Sequence, residues 1–424
     1  MSTKIISKFL GLFFVLVFLI GTEQPVFAQK NLEPPPPNAT VQEQVDFLLD
    51  QYEIAVVDEL AKGQTLRDEN GNLILTGNSE LRMKSLWENT FRQIDNLTAR
   101  PIEDREKTTE YIRTLENTNK VEYSFHTTLP YYGKNIAVEI YNTDKNRYTI
   151  DIESGNVLEI VIIDQNAYST DAIYSTEDLQ ARAIDFFRLI SPVTDLSRLN
   201  LSVGQKVGTF FFRWEDPSHE LLDGTTPFVQ VGLSQSGDFL TYINTLNTVP
   251  SDLFTFTTSP FLLNATKVLT PLNSITWIET YANGGNYWSV TGTYSSTTGG
   301  FCYYYSAYCP GTFADKSKYY YKATVTGTTG VTKGTWRANT NYLVQAKAYI
   351  PSYNATHTSA KYEVFNGTTI FDYYVNQNIY YDTFAPINTS PLNTIKSITL
   401  RNKASSTSYL VAWDEIQIWS DDQW

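Results

Sequence analysis

A series of short β-strand patterns fills the C-terminal part of this 424-residue chain. Each pattern is rich in β-branched and aromatic residues, and turn residues separate it from the next. The segments are SITWIETY, NYWSVTGTY, KYYYKATVTG, NYLVQAKAYI, AKYEVFNG, IFDYYVNQ, IKSITLRN and YLVAWDEIQIW. Closely spaced short strands are typical of two packed antiparallel sheets. They therefore predict an all-β jelly roll or sandwich for residues 273–424.

Alternation within NYLVQAKAYI predicts two faces, because successive strand side chains point to opposite sides. The expected core face consists of Tyr342, Val344, Ala346, Ala348 and Ile350. The opposite face consists of Leu343, Gln345, Lys347 and Tyr349.

The charge and the content of aromatic residues both change near residue 250. Residues 251–424 hold 10 acidic and 11 basic residues, whereas the preceding part holds 35 and 21. The C-terminal part also holds 19 of the 29 tyrosines. This asymmetry, together with the length, predicts two domains and argues against a nucleic-acid partner.

The first residues have the pattern of a secretion signal. Lys4 and Lys8 precede the apolar run FLGLFFVLVFLIG, and cleavage is expected after Ala28. An uncleaved membrane anchor is the alternative. No later stretch approaches the roughly 20 apolar residues of a membrane helix. We therefore predict a signal peptide (1–28), a Pro-rich leader (29–40) and a secreted, extracellular or cell-surface product without a transmembrane segment.

The acidic part is predicted to be an α+β domain over residues 41–247. Apolar residues at helical spacing begin at Val41, and residues 41–117 are expected to be mostly helical around a hairpin at LRDENGNLIL. Strands follow from residue 120, interrupted by the helix TEDLQARAIDFFRLI, which Ser175 can cap. Residues 248–272, with three prolines, are predicted to be a linker.

Residues 120–247 resemble the PepSY-type domains of secreted bacterial proteins. The resemblance rests on IDIESGNVLEIVI, the helix TEDLQARAIDFF and FVQVGLSQSGDFLTYIN. It implies an antiparallel sheet covered by a helix, in a non-catalytic module associated with peptidases or the cell envelope.

Residues 273–424 resemble the golvesin-type C-terminal domain that also ends xanthan lyases. The resemblance rests on YLVQAKAYIPSYNATHTSAKYEV, YYVNQNIYYDTF, SITLRN and VAWDEIQIW, in that order. It implies a jelly roll of the carbohydrate-binding kind. The tyrosine-rich loop CYYYSAYC departs from the family pattern, and so does Phe384, where the family tends to have Trp.

Aromatic and amide side chains of this C-terminal domain are the candidate glycan contacts. Aromatic rings can stack on the C–H face of a pyranose, and amides can hydrogen bond its hydroxyls. The candidates are Trp288, Tyr303, Tyr304, Tyr305, Tyr308, Trp336, Tyr353, Asn376, Gln377 and Tyr380. For each one, packing within the core or rim is the alternative.

The two cysteines, Cys302 and Cys309, are predicted to form a disulfide in an oxidising compartment. They are too few for a usual zinc site. No cofactor is expected. Asp414 is read as a buried carboxylate, with a structural calcium ion as the alternative. Because Asp414 and Glu415 are adjacent in a strand, their side chains point to opposite faces and cannot act together on one bond.

No catalytic motif accompanies the three histidines. His357 lies in the loop NATHTSA, His126 in a strand, and His219 in HELLD, which lacks the second histidine of a zinc protease. We therefore predict a secreted non-catalytic protein that binds extracellular polysaccharide or matrix. The alternatives are a regulator or tether of an exported peptidase, a polysaccharide-active enzyme whose carboxylates no motif reveals, and self-assembly through β-edges.

Overall fold

The computed structural model describes the chain from residue 32 to residue 421, with gaps. The described ranges are 32–68, 71–132, 134–190, 196–219, 221, 225–246, 275–281, 288–300, 318–338, 340 and 343–421. Residues 275–281, 318 and 420–421 are described by their backbone only. The predicted signal peptide, the linker 248–272 and the loop containing Cys302 and Cys309 lie outside the described residues.

The described part contains four α-helices, all in the acidic part of the chain. They are α1 (Val41–Lys62), α2 (Gly77–Thr98), α3 (Ile102–Glu116) and α4 (Thr176–Ile190). Of the apolar residues at helical spacing in α1, Val45, Leu49 and Tyr52 are buried, whereas Val41, where the pattern begins, is 45% exposed. Thr40 caps α1, because its Oγ1 accepts the Glu43 backbone N–H at 3.2 Å.

The predicted hairpin between α1 and α2 is present. It consists of β1 (Thr65–Arg67) and β2 (Leu73–Leu75), paired antiparallel. No helix of the described part is long and apolar enough to cross a membrane.

An eight-stranded antiparallel sheet forms the centre of the α+β domain. Its strands are β3 (Glu122–Tyr131), β4 (Lys134–Asn142), β5 (Asn146–Asp151), β6 (Val157–Ile162), β7 (Asn200–Lys206), β8 (Thr209–Glu215), β9 (Phe228–Ser234) and β10 (Phe239–Asn244). The spatial order is β3-β4-β5-β6-β10-β9-β8-β7. Helix α4 buries Leu179, Ala183 and Phe187 against β8 and β9.

This sheet contains the same arrangement twice. A helix and a four-stranded meander (α3 with β3–β6) are followed by a second helix and meander (α4 with β7–β10), and β6 pairs with β10 at the centre. Each meander enters its last strand through a Ser-Gly turn, where Gly155 and Gly237 have φ of +69° and +85°. The two Ser-Gly turns are visible in the sequence, but only the strand order reveals the repeat.

The described residues of the C-terminal part contain no α-helix and consist of β-strands, loops and a 3-10 turn at Gln377–Ile379. Its strands are β11 (Ile275–Tyr281), β12 (Trp288–Thr291), β13 (Ser295–Thr298), β14 (Lys318–Ala323), β15 (Lys333–Arg337), β16 (Val344–Ile350), β17 (Ala360–Phe365), β18 (Ile370–Val375), β19 (Thr383–Pro386), β20 (Ser397–Arg401), β21 (Leu410–Trp413) and β22 (Ile416–Asp421). They form antiparallel sheets ordered β11-β22-β16-β19, β12-β15-β20-β17-β18 and β13-β14-β21. The antiparallel β-domain is thus present, whereas the jelly-roll path stays a prediction.

Strand β16 is buried on both faces, and not only on its predicted core face. Gln345 and Lys347 are 5% and 4% exposed. Gln345 Oε1 accepts the hydroxyl of Thr127 at 2.9 Å, and Lys347 Nζ lies 3.6 Å from Glu159 Oε1. The second face therefore packs against the α+β domain, and the two domains share an extensive buried junction.

Candidate functional site

The segment VNQNIY, residues 375–380, lies in this junction. Asn376, Gln377 and Tyr380 are no more than 1% exposed. The backbone N–H of Asn376 donates to Gln165 Oε1 at 2.6 Å, and Gln377 Nε2 donates to the carbonyl of Ala412 at 3.0 Å. These three glycan candidates are therefore enclosed by protein and present no surface to a sugar in this structure.

Lys206, at the end of β7, inserts its ammonium group into the C-terminal domain. Nζ donates to three backbone carbonyls, those of Ala355 (3.2 Å), Gln377 (3.0 Å) and Tyr380 (2.5 Å). We call these three oxygens the carbonyl cage. Burial lowers the pKa of Lys206, and the Asp382 carboxylate opposes that shift. The sequence offered no signal for this contact, since a lysine in a strand is usually exposed.

Further contacts surround the carbonyl cage. Tyr381 stacks on Phe211 with ring centroids 5.2 Å apart, and a Cβ at Gly204 would overlap the Tyr381 ring. Asn378 Nδ2 donates to the carbonyl of Val207 at 2.8 Å. Polar and aromatic contacts thus hold the segment 376–382 against strands β7 and β8. The role of this segment is therefore structural, as part of the junction between the two domains.

A second cluster contains the aromatic candidates that retain an exposed surface. Trp288, on β12, is half-buried and faces Trp336 across the strand pair, with ring centroids 4.6 Å apart. Gly334 lies beneath both Trp288 and Trp413, where a Cβ would overlap the indoles. Trp336 is itself 1% exposed, so it supports Trp288 from below and cannot stack on a sugar in this structure.

Tyr320 and Tyr294 extend this cluster to the surface. The ring of Tyr320 is nearly parallel to that of Trp288, at 10° with centroids 6.2 Å apart. Tyr294 contacts Tyr320 edge-on at 4.6 Å and is 42% exposed. We call Trp288, Tyr294 and Tyr320 the aromatic surface cluster. Tyr294 and Tyr320 were not among the predicted contacts, although the run KYYYKA placed Tyr320 in a strand.

Polar groups border the aromatic surface cluster. Lys322 Nζ donates to Thr293 Oγ1, next to Tyr294. Arg337 donates to Ser289 Oγ at 3.1 Å, but both residues alternate with Trp288 and Trp336 along their strands and so belong to the opposite face of the β12–β15 pair. The exposed ring of Tyr294 and the half-buried rings of Trp288 and Tyr320 thus lie beside one hydroxyl and one cationic group, which can stack on a neutral sugar and hydrogen bond to it.

The remaining aromatic candidates are Tyr353 and the four tyrosines of the loop CYYYSAYC. Tyr353 is 65% exposed, and its carbonyl accepts the hydroxyl of Tyr319 at 3.0 Å. The candidates Tyr303, Tyr304, Tyr305 and Tyr308 and the predicted disulfide Cys302–Cys309 lie outside the described residues.

Asp414 and Glu415 are both buried, at 3% and 1% exposed. The backbone at Gly300 approaches Asp414 so closely that a Cβ there would lie 2.7 Å from Oδ2. Burial, reinforced by the charge of Asp414, raises the pKa of Glu415 well above its usual range. Within the described ranges no three His, Cys, Asp or Glu side chains are grouped as metal ligands. Calcium at Asp414 stays an untested prediction.

Each of the three histidines has a hydrogen-bonding partner within the protein. His126 Nδ1 lies 2.8 Å from Asp95 Oδ1, and His219 Nδ1 lies 2.7 Å from Asp216 Oδ2. His357, 4% exposed, accepts the Ser359 backbone N–H at Nδ1 (2.9 Å). Asp95 also accepts the His126 backbone N–H at 3.0 Å, so its carboxylate joins β3 to α2. A structural role therefore accounts for the Asp95–His126 pair.

Comparisons with known proteins return only distant likenesses. No family model matches the chain, and no curated protein matches it. The Bacillus megaterium YpeB C-terminal domain is 9% identical over 67% of this chain and 97% of that chain, with a TM-score of 0.26. A Phanerochaete chrysosporium exo-beta-1,3-galactanase with galactose is 12% identical over 70% and 78% of the two chains, with a TM-score of 0.22. These TM-scores are too low for either likeness to support an argument about fold or function.

Proposed function

We propose that this protein is a secreted, non-catalytic binding protein whose C-terminal β-domain binds a neutral polysaccharide. The observation that carries the proposal is the aromatic surface cluster. Its rings of Trp288 and Tyr320 are held nearly parallel, and Tyr294 reaches 42% exposure beside them. Protein packing holds these rings in place before a ligand arrives, so binding orders few side chains.

The support beneath the cluster strengthens the proposal. Trp336 packs against Trp288 with ring centroids 4.6 Å apart, and Gly334 leaves room for the indoles of Trp288 and Trp413. A ring held from below keeps its position when a sugar is pressed against its outer face. Aromatic anchors of this kind carry a large share of the free energy in binding sites.

The experiment is a binding titration of the full chain against a panel of soluble neutral and acidic polysaccharides. We expect saturable binding to a neutral polysaccharide, and Tyr294→Ala or Tyr320→Ala to weaken it at least about tenfold, which corresponds to about 1.4 kcal/mol. Tyr374→Ala is the matched control, because Tyr374 is 59% exposed on β18, outside the cluster.

Two outcomes would contradict the proposal. One is a folded full chain that binds no polysaccharide in the panel. The other is binding that Tyr374→Ala reduces as much as Tyr320→Ala does, because the contact would then not be specific to the cluster. Circular dichroism of each variant verifies that the fold is retained.

A further inference from the structure

The eight-stranded sheet has two edge strands, β3 and β7, which begin the two repeated meanders. An edge strand carries backbone N–H and C=O groups that can pair with any other strand, and proteins usually cover or charge such edges. The two edges of this sheet are treated differently.

Strand β3 is covered by the protein itself. Asp95 Oδ1 accepts the backbone N–H of His126 at 3.0 Å, and the indole of Trp419 donates to the carbonyl of Thr128 at 3.1 Å. His126 and Thr128 are two residues apart, so their backbone N–H and C=O groups point to the same side of β3. Residues of helix α2 and strand β22 thus occupy this edge at His126 and Thr128, so a further strand cannot pair along the length of β3.

Strand β7 is open. Asn200, Leu201, Ser202 and Val203 are all exposed. Within the described part of the chain, no hydrogen bond joins the backbone of residues 200–205 to any element other than β8. The register with β8 runs without a bulge, and the strand contains no proline. Its one charged side chain, Lys206, is turned into the carbonyl cage, so the exposed strand carries no charge.

The open edge is also apolar. Leu201 is 38% and Val203 46% exposed. They pair with Trp214 and Phe212, which belong to the core under α4, so they extend that core to the rim of the sheet. Natural edges are usually protected by lysine, proline or a bulge, and β7 has none of these in an exposed position.

We propose that β7 pairs antiparallel with β7 of a second copy, about a two-fold axis. Since β3 is covered, β7 of one copy cannot extend into β3 of the next, and the isologous pair is the arrangement left. The exposed residues 200–203 carry no charge, so pairing this edge with that of a second copy brings no like charges together there. With Ser202 on the axis, each Leu201 lies opposite Val203 of the second copy, and such apolar cross-strand pairs stabilise a sheet.

The test is sedimentation velocity of the full chain over a dilution series. We expect the wild type to dimerise, and Val203→Lys to raise the dissociation constant at least about tenfold, because it places a charge at the pairing edge. Leu81→Lys is the matched control, since Leu81 is 65% exposed on α2, and it should leave the dimer unchanged. Hydrogen exchange at residues 200–203 should slow as the concentration rises.

A wild type that stays monomeric throughout the series would overturn the proposal. A dimer that Val203→Lys weakens no more than Leu81→Lys would overturn it equally, because another surface would then hold the copies together. If Val203→Lys does not fold, Leu201→Lys replaces it in the same sedimentation experiment, because it also places a charge at the pairing edge. Neither result depends on polysaccharide binding.

Discussion

Removing the Lys206 ammonium should loosen the junction between the two domains. Lys206 is 7% exposed and donates to the three oxygens of the carbonyl cage. The substitution Lys206→Met keeps an unbranched side chain of similar length and takes away all three donors. The cage oxygens then remain in the junction without this partner.

The expected magnitude follows from opposing terms. A hydrogen bond from a charged donor contributes about 1.5–3 kcal/mol, so the three together contribute about 5–9 kcal/mol. Burying the ammonium costs several kcal/mol, which the variant no longer incurs. The net loss of unfolding free energy for Lys206→Met is therefore about 3–5 kcal/mol, because the three carbonyl oxygens lose a charged donor while the cost of burying the ammonium disappears.

Urea unfolding of the full chain, monitored by tryptophan fluorescence, measures this loss. Lys120→Met is the matched control, because Lys120 is exposed and its removal should change the unfolding free energy by less than about 0.5 kcal/mol. Since the cage joins β7 to the C-terminal domain, we also expect the variant's unfolding to separate into two transitions. A Lys206→Met variant within about 1 kcal/mol of the wild type would refute the reasoning.

Two further predictions concern buried ionisable groups. Burial lowers the pKa of His357 from 6.5 to about 4, so between these values the unfolded chain takes up a proton that the folded chain does not. The unfolding free energy should therefore fall as the pH drops from 6.5 to 4, by up to about 3 kcal/mol, and urea titrations of His357→Gln should lack this component. Glu139 is 0% exposed and pairs with Arg100, whose side chain is 20% exposed, so Glu139→Gln should lower the unfolding free energy by about 3–5 kcal/mol. Combining Glu139→Leu with Arg100→Met should recover part of that loss in the same urea titrations, and an equal loss in both variants would contradict this.

The secondary structure could largely be predicted because it depends on neighbouring residues. The periodicity that begins at Val41 predicts α1, and Ser175 with Asp178 predicts the start of α4, where Asp178 N donates to Ser175 Oγ at 3.1 Å. Alternation in NYLVQAKAYI predicts β16. These signals operate over one or two turns of helix or a single strand, so they are readable without the fold.

The candidate site was less predictable. Trp336 and Tyr380 have the residue type of a sugar contact, yet both are 1% exposed, whereas Tyr294 and Tyr320 were not selected. An aromatic residue in a strand serves equally as core or as surface, and its own segment does not distinguish the two. What decides is the element that covers it, and for Trp336 that is Trp288 from the neighbouring strand.

Composition and periodicity are local properties, so they predict the acidic α+β part, the β-rich C-terminal part and most of their strands. The tertiary structure alone decided that these parts share a buried junction. Lys347 and Lys206 look like surface residues in the sequence, but they meet Glu159 and the carbonyl cage, which lie far away along the chain. A charged side chain becomes buried only where folding brings a partner to it, and no local pattern records that partner.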